Sequence, residues 1–351
     1  MQSLRAESLA GRAMGELGLL RRIRERAGKL PRAGLRMGIG DDCALLRPRA
    51  GEELAVTTDL SIDGRHFRFD WHPPESVGRR TLARGLSDLA AMGARPVAAF
   101  LSLGLPRQLT VADRRGKAWI DGFFDGFLAL AEVHRCPLAG GDLAESPLLA
   151  ADIVLVGAVA RGKALLRSGA RPGDWLYVTG RLGGSAAGLA RLAELAGKSG
   201  LAKGRSGRPR TLRIPARLKD ALAAHLNPQP RVAQGLWLVQ RGVATAALDL
   251  SDGLSTDLAH LCEESGVAAE VDAAALPVHS GATLEQALDG GEDYELLFTA
   301  APGTRIPRVI AGVPVTRIGS MVRPRKGRLQ AVLIGADGPQ ALEARGWAHF
   351  A

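Results

Sequence analysis

The chain has 351 residues, a formal net charge of +10 and a pI near 10.2. Its length predicts two domains, and its 46% hydrophobic but only 4% aromatic residues predict cores built mainly from Ala, Leu and Val. No uncharged apolar run reaches the ~18 residues of a membrane span, and the first residues lack the pattern of a secretory signal.

The first half alternates strand-like and helix-like apolar patterns. Leucines and an isoleucine between residues 17 and 23 predict a short amphipathic helix. The elements predicted after it are a strand over 54–62, a helix over 76–96, a strand over 97–106, a helix over 110–134 and a strand over 151–159. This alternation predicts a mixed α/β, or α+β, domain over 1–160.

The second half, 161–351, begins a new series with an RPGD turn. The basic stretch 197–215 is typical of a flexible surface loop. The predicted elements are a strand over 174–180, a helix from 183, a helix over 231–242, a strand, turn and helix over 244–266, and strands over 313–322 and 329–335.

Seven aspartates lie in short segments rich in Gly, Ser and Thr. They are Asp41, Asp42, Asp59, Asp88, Asp142, Asp249 and Asp252. Carboxylates that cluster repel one another, by roughly 4 kcal/mol per pair at about 4 Å and an effective dielectric near 20. Mg²⁺ is bound by a few carboxylates together with waters and substrate phosphates. The acids therefore predict a site for several Mg²⁺ ions and a polyphosphate.

Structural roles compete with metal binding at the first two acidic segments. Asp41 and Asp42 follow glycines, and a structural cap would need only one of the two carboxylates. Thr57 and Thr58 offer hydroxyl oxygens beside the carboxylate of Asp59, but two β-formers and a turn aspartate are also typical of a strand end.

N-capping is the structural alternative for Asp88, Asp249 and Asp252, which lie beside serines near predicted helix starts. The Leu-Ser-Asp segments at 86–88 and 250–252 look alike and predict related carboxylate turns in the two halves.

The sequence contains no P-loop and no GxGxxG between a strand and a helix. Glycine turns at 140–142 and 179–185 offer backbone N–H groups to phosphate oxygens, although most such glycine pairs are only turns.

Three other residues are candidate substrate contacts. His66 lies in a polar and aromatic stretch, where a lone histidine is more often a surface or packing residue. Glu292 follows two glycines and precedes an apolar strand. Trp347 can stack on a flat heterocycle or anchor the end of the chain.

Cys43, Cys136 and Cys262 form no CxxC pair, which predicts a reduced, cytoplasmic compartment. Cys43 is either a reactive thiol beside the acidic turn or a small buried residue. The charge of +10 also raises the alternative of a nucleic-acid-binding protein. Its basic residues are dispersed, however, and nucleic-acid binding does not explain the acids in glycine turns.

In this order, GIGDDCAL, TTDLSIDGRHF, LSDLAAMGA, GGD, RSGARPGDWLYVTG, LDLSDGLSTDL and GGEDYEL closely resemble segments of the thiamine-monophosphate kinase family. That family lies in the superfamily of aminoimidazole ribonucleotide synthetase and selenophosphate synthetase. The resemblance runs from about Gly15 to the last residue. It implies a two-domain aminoimidazole ribonucleotide synthetase-like fold, with a dimeric β-barrel-like core in the N-terminal domain and a C-terminal α/β sandwich.

The resemblance also implies an activity: phosphorylation of thiamine phosphate to thiamine diphosphate by ATP, with several Mg²⁺ ions, in a homodimer that binds neither nucleic acid nor membrane. Residues 1–160 are then the ATP- and Mg²⁺-binding dimerisation domain, and 161–351 complete the nucleotide and substrate site. No side chain is expected to act as a general base, because a phosphate monoester with a second pKa of about 6 already offers an anionic oxygen.

Position by position, the resemblance assigns three sets of residues. The implied metal ligands are Asp41, Thr57, Thr58, Asp59, Asp88, Asp142, Asp249 and Asp252. The implied nucleotide contacts are Gly141, Asp142, Arg167 and Ser251. The implied thiamine phosphate contacts are His66, Glu292 and Trp347.

The chain departs from the family pattern at Phe124, where an aromatic hydroxyl is common, in the LAESPL after GGD, and in its longer basic loop. Other ATP-using members of the superfamily are alternatives. Selenophosphate synthetase would need a reactive N-terminal cysteine, whereas the first cysteine here is Cys43.

Overall fold

The computed structural model describes residues 15–30, 34–112, 117–199, 212–324 and 331–347. The basic stretch predicted as a loop lies largely outside these residues. No helix in the described ranges is long and apolar enough to span a membrane.

The N-terminal half is built on a four-stranded sheet. In spatial order its strands are β3 (Glu52–Ile62), β6 (Ala150–Ala160), β4 (Arg95–Leu105) and β5 (Leu138–Glu145). β6 is antiparallel to both neighbours, and β5 is parallel to β4. A small antiparallel pair, β1 (Leu35–Met37) and β2 (Leu45–Leu46), precedes them.

Helices α1 (Glu16–Ala27), α2 (Pro74–Ala91) and α3 (Trp119–Val133) accompany this sheet. α2 and α3 pack unusually closely because glycines lie at their crossing. A Cβ on Gly78 would lie 1.9 Å from the Phe123 carbonyl oxygen, and one on Gly126 would lie 1.8 Å from that of Glu75. Any larger residue at either position would push the helices apart.

The C-terminal half contains a larger sheet with five helices. The strands are β7 (Trp175–Thr179), β8 (Ala246–Asp249), β9 (Ala268–Asp272), β10 (Leu296–Ala300), β11 (Val309–Ile310), β12 (Val313–Val322), β13 (Ala331–Gly335) and β14 (Gly338–Ala341). Their order is β14-β13-β9-β12-β7-β10-β8, and β11 pairs with β12. The helices are α4 (Gly184–Lys198), α5 (Lys219–Leu226), α6 (Val232–Arg241), α7 (Leu254–Ser265) and α8 (Leu284–Asp289).

These elements confirm the predicted mixed α/β class and correct some boundaries. The helix predicted over 76–96 begins earlier and ends at Ala91, and the one predicted over 110–134 begins at Trp119. Among the described strands, β3 and β5 each pair on one side only, so the four-stranded sheet of one chain is open and closes no barrel.

The two Leu-Ser-Asp segments are not related turns. Asp88 lies in the last turn of α2, because the helical pattern extends back to Pro74. Asp249 ends β8, and Asp252 lies in the turn before α7. The N-cap position of α7 is Gly253, which has no side chain to cap the helix, and that of α2 is Pro73, so the N-capping alternative is wrong for Asp88 and for Asp252.

Candidate active site

A cleft of about 480 Å³, here called the acidic cleft, brings together acids from both halves of the chain. Its acids are Asp59 from β3, Asp88 from α2, Asp249 and Asp252 from the β8–α7 connection, and Glu292. Three other predicted site residues, His66, Ser251 and Trp347, also line this cleft. The implied substrate contacts therefore lie in the same cavity as half of the implied metal ligands.

Helix α2 lies along the acidic cleft and connects its parts. Ser87 Oγ donates a hydrogen bond of 2.6 Å to Asp249 Oδ2, which ties α2 to the end of β8. Thr57 Oγ1 on β3 donates to Asp88 Oδ2. Arg84 donates to Asp59 Oδ1 from Nε at 3.2 Å and from Nη2 at 2.9 Å.

Two carboxyl groups of the acidic cleft, those of Asp88 and Asp249, are destabilised in their charged form. Burial, followed by the neighbouring carboxylates of Asp249 and Asp59, raises the pKa of Asp88 to about 7. Burial raises the pKa of Asp249 to about 6, although the hydrogen bond from Ser87 opposes that shift. Negative charge in this cleft therefore lacks full compensation and favours a bound cation.

The turn that carries Ser251 and Asp252 is held by Asp257 in the first turn of α7. Asp257 Oδ2 accepts the backbone N–H groups of Ser251, Asp252 and Gly253 at 3.0, 3.0 and 3.1 Å. The backbone N–H of Trp347 donates to the Asp252 carbonyl at 3.0 Å, which brings the end of the described chain to the same turn.

The other end of the acidic cleft is organised by Arg80, a residue that the sequence analysis missed. Its Nη2 donates to both carboxylate oxygens of Glu292, at 2.8 and 2.7 Å, and to the His66 carbonyl at 3.2 Å. Its Nη1 donates to the His225 carbonyl at 2.6 Å. Burial opposes ionisation of Glu292, but Arg80 lowers the pKa of this carboxyl and keeps it charged.

The turn around Glu292 has a strained backbone. Glu292 and Tyr294 adopt positive φ angles of 66° and 52°, which cost roughly 1–3 kcal/mol each for residues other than glycine. Between them, Asp293 accepts the backbone N–H groups of Gly183 and Ser185 at 2.6 and 3.1 Å and so holds the start of α4. These contacts keep the Glu292 side chain directed toward Arg80.

Other implied ligands lie in a second cavity of about 470 Å³, here called the glycine-turn cleft. Asp41, Asp42, Gly141 and Asp142 line it, together with Phe124. Asp41 and Asp142 are exposed, and each accepts the backbone N–H of the following residue at 2.9 Å. Cys43 is also exposed here, so the interpretation of a buried cysteine is wrong.

The two clefts lie at opposite edges of the four-stranded sheet. The register pairs Asp59 with Ile153, Ile153 with Leu101, and Leu101 with Gly141. Three strand spacings therefore separate the backbones of Asp59 and Gly141, which is about 14 Å. Within one chain the seven aspartates form two groups rather than the single cluster that the sequence predicts.

Two implied ligands lie outside both groups. Side chains alternate along β3, so Thr57 and Asp59 share the face toward α2 whereas Thr58 lies on the opposite, exposed face. Arg167 is exposed, and its charge lowers the pKa of Asp249 against the larger effect of burial.

Comparison with known proteins assigns the chain to a family. Models of the N-terminal and C-terminal domains of AIR synthase related proteins match residues 40–164 and 171–331. The thiamine-monophosphate kinase of Escherichia coli K12 is 39% identical over 97% of this chain and 99% of its own length. The chain belongs to the thiamine-monophosphate kinase family.

Solved structures of this family have the same fold. The thiamine-monophosphate kinase of Stenotrophomonas maltophilia K279a is 39% identical, with a TM-score of 0.73 over 92% of this chain and 98% of that one. A structure of AaThiL complexed with AMPPCP and TMP is 30% identical, with a TM-score of 0.71 over 96% of this chain and 97% of that one. These matches confirm the resemblance and do not favour either another superfamily activity or a nucleic-acid-binding protein.

The donors of the acidic cleft suit the Mg²⁺ that membership of the thiamine-monophosphate kinase family implies. In the described ranges no three His, Cys, Asp or Glu side chains are grouped closely enough to hold a metal ion alone. Mg²⁺, however, usually keeps several waters and takes only one or two protein carboxylates plus substrate phosphates. Carboxylate and hydroxyl oxygens, with raised pKa values at Asp88 and Asp249, fit such partial coordination.

Proposed function

We propose that this chain transfers the γ-phosphoryl group of ATP to thiamine phosphate and so forms thiamine diphosphate and ADP. The observation that carries the proposal is the acidic cleft, where the His66–Glu292–Trp347 set adjoins Asp59, Asp88, Asp249 and Asp252 in one cavity. A cleft that combines an aromatic ring, an ionised carboxylate and a cation-binding group suits a substrate with a cationic ring system and an anionic phosphate.

The reaction is an in-line displacement. A terminal oxygen of thiamine phosphate forms a bond to the γ-phosphorus, while the bond from that phosphorus to the β,γ-bridging oxygen breaks and its electron pair leaves on ADP. No proton has to move first, because the attacking phosphate has a second pKa of about 6. Catalysis then depends on holding two anions in line and neutralising their charge.

Residues of the chain contribute orientation. Arg80 binds both the carboxylate of Glu292 and the carbonyl of His66. It therefore holds these two proposed substrate contacts at a fixed distance from each other. Asp257 fixes the turn of Ser251 and Asp252. Trp347, half exposed, offers a ring face for stacking.

Magnesium is part of the proposal. Asp59, Asp88, Asp249 and Asp252 would bind it in the acidic cleft, and Asp41 and Asp142 in the glycine-turn cleft. When bound, Mg²⁺ supplies positive charge that offsets repulsion between triphosphate and thiamine phosphate. Gly141, Asp142, Arg167 and Ser251 are the proposed nucleotide contacts, and Thr57 and Thr58 the proposed additional metal ligands.

We also propose a homodimer formed through the exposed face of β3. Leu54, Val56 and Leu60 on this face are 45%, 62% and 48% exposed, and a row of large exposed apolar residues favours burial against another subunit. The proposed domain boundary stays near residue 160, in the interval between the two matched family models. The unpaired cysteines support the proposed cytoplasmic location.

The test is a kinase assay with ATP, Mg²⁺ and thiamine phosphate, in which thiamine diphosphate and ADP should form in equal amounts. Asp59→Asn should abolish product formation while the melting temperature changes by only a few degrees. Turnover of an aminoimidazole precursor or of selenide in place of thiamine phosphate would contradict the assignment. A DNA-binding titration against salt tests the nucleic-acid alternative, and we expect no specific complex.

A further inference from the structure

Helix α2 carries three charged residues at intervals of four: Arg84 and Asp88 line the acidic cleft, and the buried Arg80 pairs with Glu292 of the cleft lining. Residues four apart lie on one face of a helix, about 6 Å apart along its axis. Arg80 contacts Glu292 and the His66 carbonyl at the substrate end, and Asp88 belongs to the acid group. Arg84 therefore lies at the boundary between these two parts of the cleft.

The guanidinium of Arg84 has N–H donors that its contacts with Asp59 do not use and that a ligand can therefore accept. Within the described residues it donates only to Asp59 Oδ1, from Nε and Nη2. A guanidinium carries five N–H donors, so three of them remain. The side chain lines the cavity and is 19% exposed, which leaves it accessible to a ligand.

Charge around Arg84 keeps it a permanent cation. An arginine stays protonated in proteins, and the Asp59 carboxylate 2.9 Å from Nη2 stabilises that charge further. A guanidinium also matches the geometry of a phosphate, to which it can donate two parallel hydrogen bonds.

We propose that Arg84 binds the phosphate group of thiamine phosphate. This proposal rests on the proposed function. A substrate held beside His66 and Glu292 must direct its phosphate toward the carboxylates of the acidic cleft, because in the proposed function the phosphoryl donor binds with metal ions there. Arg84 is a cation that lines this junction, and Asp59 is its ion-pair partner before substrate binds.

The competing role for Arg84 is purely structural, as half of an ion pair with Asp59. The two roles differ in which ligand they affect. A phosphate-binding arginine contributes to the affinity for thiamine phosphate and not to that for thiamine, which lacks the phosphate. A structural arginine affects both ligands equally, through the shape of the cleft.

The experiment measures binding of thiamine phosphate and of thiamine to the whole protein by calorimetry, without ATP, in buffer with MgCl₂ and again with EDTA. The variants are Arg84→Gln and Arg84→Lys. The matched control is Arg79→Gln, an arginine of the same helix whose Nε donates to the Pro228 carbonyl at 3.3 Å and which does not line the acidic cleft.

Arg84→Gln should weaken thiamine phosphate binding at least tenfold in both buffers and change thiamine binding less than twofold. Arg84→Lys should recover part of the loss, and Arg79→Gln should behave as the unchanged protein. In steady state, Arg84→Gln should raise KM for thiamine phosphate about as much, with KM for ATP unchanged.

Equal weakening of thiamine and thiamine phosphate, or no change in either, overturns the proposal. If Arg84→Gln fails to fold, Arg84→Lys with unchanged preference for thiamine phosphate over thiamine overturns it in the same way. Failure of the proposed function is distinguishable, since the unchanged protein would then form no thiamine diphosphate at all.

Discussion

The acidic cleft and the glycine-turn cleft both contain aspartates, but these differ in burial and in hydrogen-bond partners. Asp59 and Asp88 are partly or largely buried and paired with Arg84 and Thr57 from other elements. Asp41 and Asp142 are exposed and accept hydrogen bonds only from the adjacent backbone N–H groups among the described residues. The acidic cleft is thus preorganised by tertiary contacts, whereas the geometry of the glycine-turn cleft depends on local turns.

The difference has an energetic consequence. Carboxylates crowded in a buried cleft lower the stability of the ligand-free protein when they ionise, because burial and mutual repulsion oppose their charge. Exposed carboxylates lower it little, because water solvates them. Replacing an aspartate of the acidic cleft should therefore change the stability measured without metal, whereas replacing one of the glycine-turn cleft should change it little. This difference is expected even if both clefts are needed for activity.

The largest effect is expected at Asp88. Asp88→Asn should lower kcat by roughly 10²–10³-fold, the usual cost of removing one electrostatic contact to the reacting groups. The melting temperature measured in EDTA should rise, because a repelling carboxylate has been removed. Asp142→Asn is the matched variant in the glycine-turn cleft: it should impair activity and leave the EDTA melting temperature within about a degree. A lower melting temperature for Asp88→Asn would contradict the comparison.

The next effect is expected at Arg80, the residue that holds the substrate end of the acidic cleft. Arg80→Met leaves the Glu292 carboxylate without its ion pair and should destabilise the protein by on the order of 2 kcal/mol. It should also raise KM for thiamine phosphate by about tenfold. Arg80→Lys retains the charge and should recover much of both. If KM for ATP rises instead, Arg80 orients the nucleotide and the assignment of this end is wrong.

A smaller effect, on stability, is expected in the glycine-turn cleft. Gly141 has φ 143°, and a Cβ there would lie 1.9 Å from the Leu101 carbonyl oxygen. Gly141→Ala should therefore lower the melting temperature by several degrees and weaken ATP binding, because β5 must move away from β4. Gly162→Ala is a control for positive φ alone, since its φ is 69° and no atom lies within 4 Å of the added Cβ.

The last expected effect is a dependence of stability on pH. The pKa of Asp88 is about 7 in the folded protein and about 3.9 in an unfolded chain. Between these values Asp88 binds more protons in the folded state, so the contribution of this residue to stability in EDTA should fall as pH rises from about 4 to 7. Melting curves measured across this pH range test the prediction. With rising pH the unchanged protein should lose stability relative to Asp88→Asn, whereas Asp142→Asn should follow the unchanged protein. A slope of stability against pH in Asp88→Asn equal to that of the unchanged protein would contradict the raised pKa of Asp88.

The segments that form the site can be predicted from the sequence, but the contacts between them cannot. The seven aspartates could be singled out because Gly, Ser and Thr surround them, and the family resemblance named the individual ligands. N-capping was nevertheless an alternative for Asp88, because the Leu-Ser-Asp segments at 86–88 and 250–252 are identical in sequence. Arg80 was missed because its partner Glu292 is 212 positions away in the chain.

The amino-acid sequence by itself determined the class of fold, the order of strands and helices, and which segments contribute acids, since periodicity, glycine turns and residue chemistry are local properties. Only the tertiary structure decided that these acids form two groups on opposite sheet edges, that Thr58 lies on the opposite face from Asp59, and that two arginines of α2 lie along the acidic cleft. These outcomes depend on strand register and helix packing, which arise from contacts between residues far apart in the chain.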